Sequence, residues 1–374
     1  MTPSVHTFES DIQFLRKYQE VLLLQATDNP GAQVAVLPAF QGRVMTSTAG
    51  GSQGASYGWV NYDLIESGEK LPHMHAYGGE DRLWLSPEGG QYSIYFAPGA
   101  PFTFDHWQTP SVIDTEPFVT VNQGPHWAVF SKDTSLVNHS GTRFDLRIGR
   151  EVRVLSREEA ARYLQIGTLS DLEMVGYESV NSLTNLGEDW NRNTGALGIW
   201  ILGMFQSSAD ATILVPFEGE PGQGLTTDYF GPIPAERLEV EGQTILLSAD
   251  GKCRSKIGLR PGNATPFLGS YDTAAGRLTL VQCDLNPEGH YLKSTWEHHQ
   301  DPYQGDVLNA YNDGPFEDGS QMGPFYELES SSSVQFLKHK ESLSHIHRTY
   351  HFTGNTAKLD ALAQQFLKIS LAEL

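Results

Sequence analysis

Segments of strand length, alternating or continuously apolar and each closed by Gly, Pro, Asn or Asp, recur along most of the chain. Residues 33–37, 82–85, 92–96, 143–148, 151–155, 212–215 and 277–281 all carry this pattern. Alternation with period two buries one face of a strand, and turn-forming residues end it. A parallel sheet would need a long crossover, usually a helix, between successive strands. Only three stretches have helical spacing. Residues from about 9 to 18 place Ile12, Phe14, Leu15 and Tyr18 at three- and four-residue steps. Ser156 and Glu159 form a capping box ahead of Ala160, Ala161 and Leu164. Residues from about 357 to 371 align Leu359, Leu362, Ala363 and Phe366. The pattern predicts an all-β fold, a large antiparallel β-sandwich with a few peripheral helices. Neither a short-period repeat nor a polar linker divides the sequence, which predicts one domain over 1–374.

Composition narrows the partners. Of 374 residues, 39% are hydrophobic and 19% charged, enough apolar material for a sizeable core. Asp and Glu number 45 against 25 Lys and Arg, a formal charge of −20. A nucleic-acid backbone and an anionic membrane surface both require clustered cations, so neither is an expected partner. No apolar run approaches the ~20 residues of a membrane span. The N-terminus lacks the basic and apolar regions of a secretory leader. The expectation is a cytoplasmic protein, or a periplasmic or secreted one if a leader has been trimmed. Cys253 and Cys283 are too few for a disulfide framework or a Cys-built zinc site, and read as two buried thiols, with a single bridge as the alternative. The 18 Phe, 15 Tyr and 7 Trp, with 37 Gly and 20 Pro, fit aromatic strands joined by turns.

Four stretches carry possible chemistry. In residues 71–84, His73 and His75 precede Gly78-Gly79 and a strand holding Arg82 and Trp84. On extended backbone the two imidazoles face the same way. They read as a general acid at a pocket mouth, as a pair of metal ligands, or as loop histidines bonded to backbone. In residues 323–332, Glu327 and Glu329 project to one side of a strand while Tyr326 and Leu328 project to the other. A carboxyl partly desolvated among Phe325, Tyr326 and small hydroxyls has a raised pKa, which suits proton transfer near neutral pH. Ordinary carboxylates on a solvent face are the alternative. In residues 344–352, His345, His347, Thr349 and His351 share one strand face. Such a pair binds a metal when a third ligand arrives, but no HExxH or CxxC supports it, and His347 and His351 read as surface imidazoles. Asn312-Asp313-Gly314-Pro315 reads as a turn beside Tyr311. No phosphate loop, nucleophile elbow or dinucleotide fingerprint is present, and no cofactor is expected.

Together these stretches resemble the galactose mutarotase-like superfamily, particularly its bacterial, sugar-related branches. His75 to Trp84, with Gly78-Gly79 between, is similar to the segment in which a His precedes Gly-Gly and a short strand ends in Trp. Leu328-Glu329-Ser330, followed by Leu343 and the strand ending at Phe352, is similar to the segment holding the catalytic Glu. The resemblance implies a large sandwich (a supersandwich) with an open face for a small carbohydrate. It also implies an aldose-epimerase-like or related sugar-processing activity, with a lyase- or hydrolase-like glycoside-processing enzyme as the variant. A Glu accepts the proton of the anomeric hydroxyl, a His donates to the ring oxygen, and ring opening and closure exchange the anomers. Carried onto this sequence, Glu329 is the base and His75 the acid or a sugar-binding group, with Glu327 beside them. Trp84, Arg82, Asn181, Arg260 and Tyr326 are the expected sugar contacts.

The sequence departs from the family in three places. Thr184-Asn185 is followed by Leu186 instead of a second His, Asn61 lacks the usual Arg neighbour, and no counterpart of the substrate-binding Asp stands out. Arg82, Lys256 and Arg260 are available for the missing polar roles. Two other functions stay open. One is a carbohydrate-binding sandwich without catalysis. The other is a metal-dependent sugar enzyme using His73, His75 and His345 or His347.

Overall fold

In the computed structural model, which describes residues 6–374, the strand runs pair into three antiparallel sheets. A ten-stranded sheet runs, edge to edge, through Leu238–Glu241, Thr244–Ser248, Ala211–Pro216, Phe267–Asp272, Arg277–Cys283, Ser342–Gly354, Leu172–Asn185, Arg143–Val154, Trp127–Val137 and Val119–Gln123. A six-stranded sheet orders Leu225–Thr226, Ser255–Leu259, Leu308–Asn312, Phe325–Ser331, Gly198–Gln206 and Arg82–Ser86. Leu22–Gln25, Gln33–Leu37 and Arg43–Thr48 form the third.

Three expected strands come out differently. Residues 143–148 and 151–154 belong to one continuous strand, because Gly149 pairs in register instead of turning, and a Cβ there would lie 2.6 Å from Ser182 Oγ. Residues 92–96 form turns. Tyr92, Ile94, Tyr95 and Phe96 are all buried, and the Tyr95 hydroxyl donates to the Leu85 carbonyl. Apolar content there serves a loop wedged into the core, which periodicity does not distinguish from a strand.

Three helices answer the expected ones. Phe8–Leu15 starts at Thr7 and is shorter than expected. Arg157–Tyr163 carries the full Ser156/Glu159 capping box. Thr356–Leu362 is capped by Asn355, continues as a π-helical turn over Ala363–Leu367, and stops at Lys368 in the left-handed region, ahead of the expected end. Both later helices pack on Tyr350 and Phe352, which covers the outer face of the ten-stranded sheet.

That outer cover explains one correction. His347 and His351 are buried, not surface imidazoles, and His345 is buried with them, because Ser342–Gly354 lies mid-sheet and its His-rich face turns toward the six-stranded sheet. Ser330 Oγ lies 2.8 Å from both His345 Nε2 and His347 Nδ1. His351 Nε2 meets Glu80 Oε2 at 2.9 Å. Burial pushes His345 down to about 3 and His347 to about 4, so both are neutral. Next to them, Arg150 reaches from the ten-stranded sheet to Asp81 Oδ1 at 2.7 Å and to the Gly42 carbonyl at 2.9 Å. It links all three sheets.

The Gly78-Gly79 turn delivers the chain to Glu80 and Asp81 of this polar layer and on to the strand at Arg82. Both residues have positive φ (+96° and +111°), and a Cβ on Gly78 would sit 2.1 Å from the Trp59 carbonyl oxygen. Cys253 and Cys283 are unbridged. Cys283 is buried, which drives its thiol up to about 12, whereas Cys253 is only half-buried. Among the described residues, no helix is long and apolar enough to cross a membrane.

Candidate functional site

Strand alternation puts one face of the six-stranded sheet against the ten-stranded sheet and leaves the other to floor a cleft of about 800 Å³. In register, Lys256 stands beside Tyr311, Tyr311 beside Glu327, and Glu327 beside Met204. The neighbouring row runs from Asn309 through Glu329 and Leu202 to Arg82, and the next pairs Trp200 with Trp84. Loops raise the walls. His73, Met74, Phe104 and Trp107 stand on one side, Glu88 and Trp296 belong to two others, and Phe230 and Phe316 come from the loops flanking Arg254 and Tyr311.

The two expected carboxylates share this face but not its environment. Glu327 lines the cleft and accepts from Arg82 Nη2 at 2.8 Å. Burial pushes its pKa up to about 7, against the pull of Arg82 and with a further push from Glu329. Arg82 lies over the Trp84 ring at 4.3 Å, which fixes the pair against the aromatic floor. Glu329 is fully buried and does not reach the cleft surface. Its Oε2 accepts from Trp200 Nε1 at 2.9 Å and from Lys256 Nζ at 3.0 Å. Its Oε1 lies 3.0 Å from the same ammonium, outside hydrogen-bonding geometry. A third carboxyl, Glu88, lines the cleft and accepts from Trp296 Nε1 at 3.1 Å, and burial raises its pKa.

The two histidines of the 71–84 segment part company. His75 is buried behind the wall. Its Nδ1 donates to Asp114 Oδ2 at 2.7 Å, and its Nε2 accepts the Leu71 amide at 2.9 Å, so neither nitrogen is free. His73 lines the cleft instead. Its Nδ1 donates to the Trp107 carbonyl at 2.7 Å, which leaves Nε2 without a partner among the described residues. Its ring packs on Phe104 at 4.2 Å.

Of the expected sugar contacts, Arg82 and Trp84 line the cleft and the others lie elsewhere. Asn181 is enclosed between the sheets, accepting from Arg150 Nη1 at 2.7 Å. Tyr326 faces the same interior, its hydroxyl 2.7 Å from Ser270 Oγ, because its strand position alternates with Glu327. Arg260 is exposed just beyond the strand Ser255–Leu259 and outside the cleft lining. His345 and His347 share Ser330 in the core and do not join His73 or His75. Among the described residues, no group of three or more His, Cys, Asp or Glu is placed to hold a metal.

Sequence reading passed over Glu88, Trp107, Trp200, Trp296 and Arg254. Trp200 carried a signal, since it alternates with Leu202 and Met204 on one strand face. The others stand on loops or at a strand's approach, where spacing says nothing about direction.

Residues 6–374 match the family of unknown function DUF6786. The chain belongs to that family. No curated protein matches it. Among solved structures, this DUF6786 chain is similar to a candidate aldose 1-epimerase of Escherichia coli K12 at 11% identity and a TM-score of 0.53, covering 89% of this chain and 99% of that one. A Synechocystis sp. PCC 6803 protein follows at 12% identity and 0.52, covering 90% and 96%. A galactose mutarotase-like protein of Lactobacillus casei ATCC 334 is similar at 10% identity and 0.52, covering 89% and 100%. At these identities the likeness establishes the fold, a galactose mutarotase-like β-sandwich.

Proposed function

We propose that the cleft binds a small carbohydrate and exchanges protons with it, in an aldose-epimerase-like reaction. The observation that carries this reading is Glu327, a carboxyl on the floor of an aromatic cleft with a pKa near neutrality. Trp84, Trp107, Trp200 and Trp296 offer ring faces for the C–H surface of a sugar. Glu327 is the base that takes the proton of the anomeric hydroxyl, and Arg82 holds it in place. His73, with its free Nε2, is the group that meets the ring oxygen. Glu329 assists from below: its like negative charge repels that of Glu327 and keeps the upper carboxyl basic. This reading moves the proton-transfer roles from Glu329 and His75 to their neighbours two positions earlier.

The test is exchange between anomers followed by NMR, using pure anomers of a panel of aldoses. Wild type should exceed buffer, and Glu327→Gln should lose about 10²–10⁴-fold. A binding-only sandwich is the second reading, favoured by the ion pairing of both carboxylates, Glu327 with Arg82 and Glu329 with Lys256. It predicts sugar binding with exchange no faster than buffer.

A further inference from the structure

Among the described residues, three Lys or Arg side chains line the cleft, and two of them are neutralised. Arg82 is paired with Glu327, and Lys256 with Glu329. Arg254 is not. Among the described residues it forms no ion pair, and its one hydrogen bond runs from Nε to the Tyr311 hydroxyl at 3.3 Å. Both terminal nitrogens of its guanidinium are therefore without a protein acceptor. That hydroxyl is itself committed, donating to Asp313 Oδ1 at 2.6 Å.

The guanidinium is also held in a fixed plane. Its carbon lies 3.7 Å from the centre of the Phe230 ring and 4.8 Å from that of Phe316. The two rings belong to separate loops at the cleft wall, and Phe230 is 44% exposed. Two aromatic faces fix the orientation of the guanidinium and leave its edge to bond in the plane. A planar fork of N–H donors matches a carboxylate two-to-two. Lys256, two positions on, is committed to Glu329, so among the described residues of the cleft lining no second unpaired Lys or Arg accompanies it, as the larger charge of a phosphate would favour.

We infer that the cleft selects a sugar acid, a carbohydrate bearing one carboxylate that Arg254 receives in the plane held by Phe230 and Phe316. The inference rests on the proposed sugar-binding role of the cleft and names the class of sugar. It fits a protein of net charge −20, whose overall field opposes polyanions while one unpaired cation inside the cleft admits a monoanion.

The experiment is calorimetric titration of the full chain with D-glucuronate, D-galacturonate and D-mannuronate, each against its parent hexose and its 6-phosphate. At least one uronate should bind about tenfold or more tightly than its hexose at low salt. That ratio should fall as salt rises, and should collapse towards one in Arg254→Gln. Arg254→Lys, which keeps the charge and loses the fork, should retain only part of it. A fold check is built in, because circular dichroism and melting of each variant are compared with wild type, and the salt dependence needs no variant. Hexose binding with no uronate preference, a preference that survives Arg254→Gln, or tighter binding of the 6-phosphate overturns the inference and leaves the sugar-binding reading standing. If no sugar binds at all, that reading falls too.

Discussion

Glu327 and Glu329 sit two positions apart on one strand and meet different surroundings. The alternation that puts both on one face was legible in the sequence, as was the pairing of Tyr326 and Leu328 on the other. Which carboxyl faces open space was not, because it depends on Trp200 and Lys256, residues 129 and 73 positions away. The same holds for His73 and His75, where the decisive partner is Asp114 on the short helix Ser111–Asp114. His75 braces the wall: His75→Phe should destabilise the fold by about 1–3 kcal/mol, since the Asp114 carboxylate stays buried without its donor. Urea denaturation measures this. A variant of full stability whose anomer exchange drops a hundredfold would return His75 to the chemistry.

At the level of strands, Ser342–Gly354 shows where a sequence pattern can be right about spacing and wrong about exposure. Four polar side chains on one face suggest a surface, and only the second layer, supplied by the helices on Tyr350 and Phe352, turns that face inward. The consequence is a pH dependence. His345 and His347 titrate near 3 and 4 when folded, against an ordinary 6.5 when unfolded. Between those values the unfolded chain binds more protons than the folded one. Their contribution is therefore fully present above pH 6.5 and is lost as pH falls towards 4. The melting temperature should decline through that window, with a loss on the order of a few kcal/mol. His347→Asn should flatten the decline. An equally steep decline in the variant would contradict the assignment.

Across the whole molecule, the three sheets are joined by polar contacts as well as by the apolar core. Arg150 bonds Asp81 ahead of the six-stranded sheet and the Gly42 carbonyl beside the three-stranded one. Arg150→Met leaves Asp81 as a buried, unpaired charge and should cost about 3–5 kcal/mol, read from chemical denaturation, whereas adding Asp81→Leu should recover much of it. The sheet architecture followed from the strand runs and the scarcity of helices. Loop 92–96 and the aromatic walls at Trp107 and Trp296 did not follow, since their placement is set by tertiary packing and not by any local period.

The central claim is that Glu327 is the proton-accepting carboxyl of a sugar cleft, and the pH profile of anomer exchange tests it most directly. A base with a pKa near 7 is active when deprotonated, so kcat/KM should rise with pH through about 7 and level off above it. Glu327→Gln should abolish that limb together with most of the rate. A profile that is flat from acid to alkaline pH, or a limb near 7 that persists in Glu327→Gln, would contradict the account.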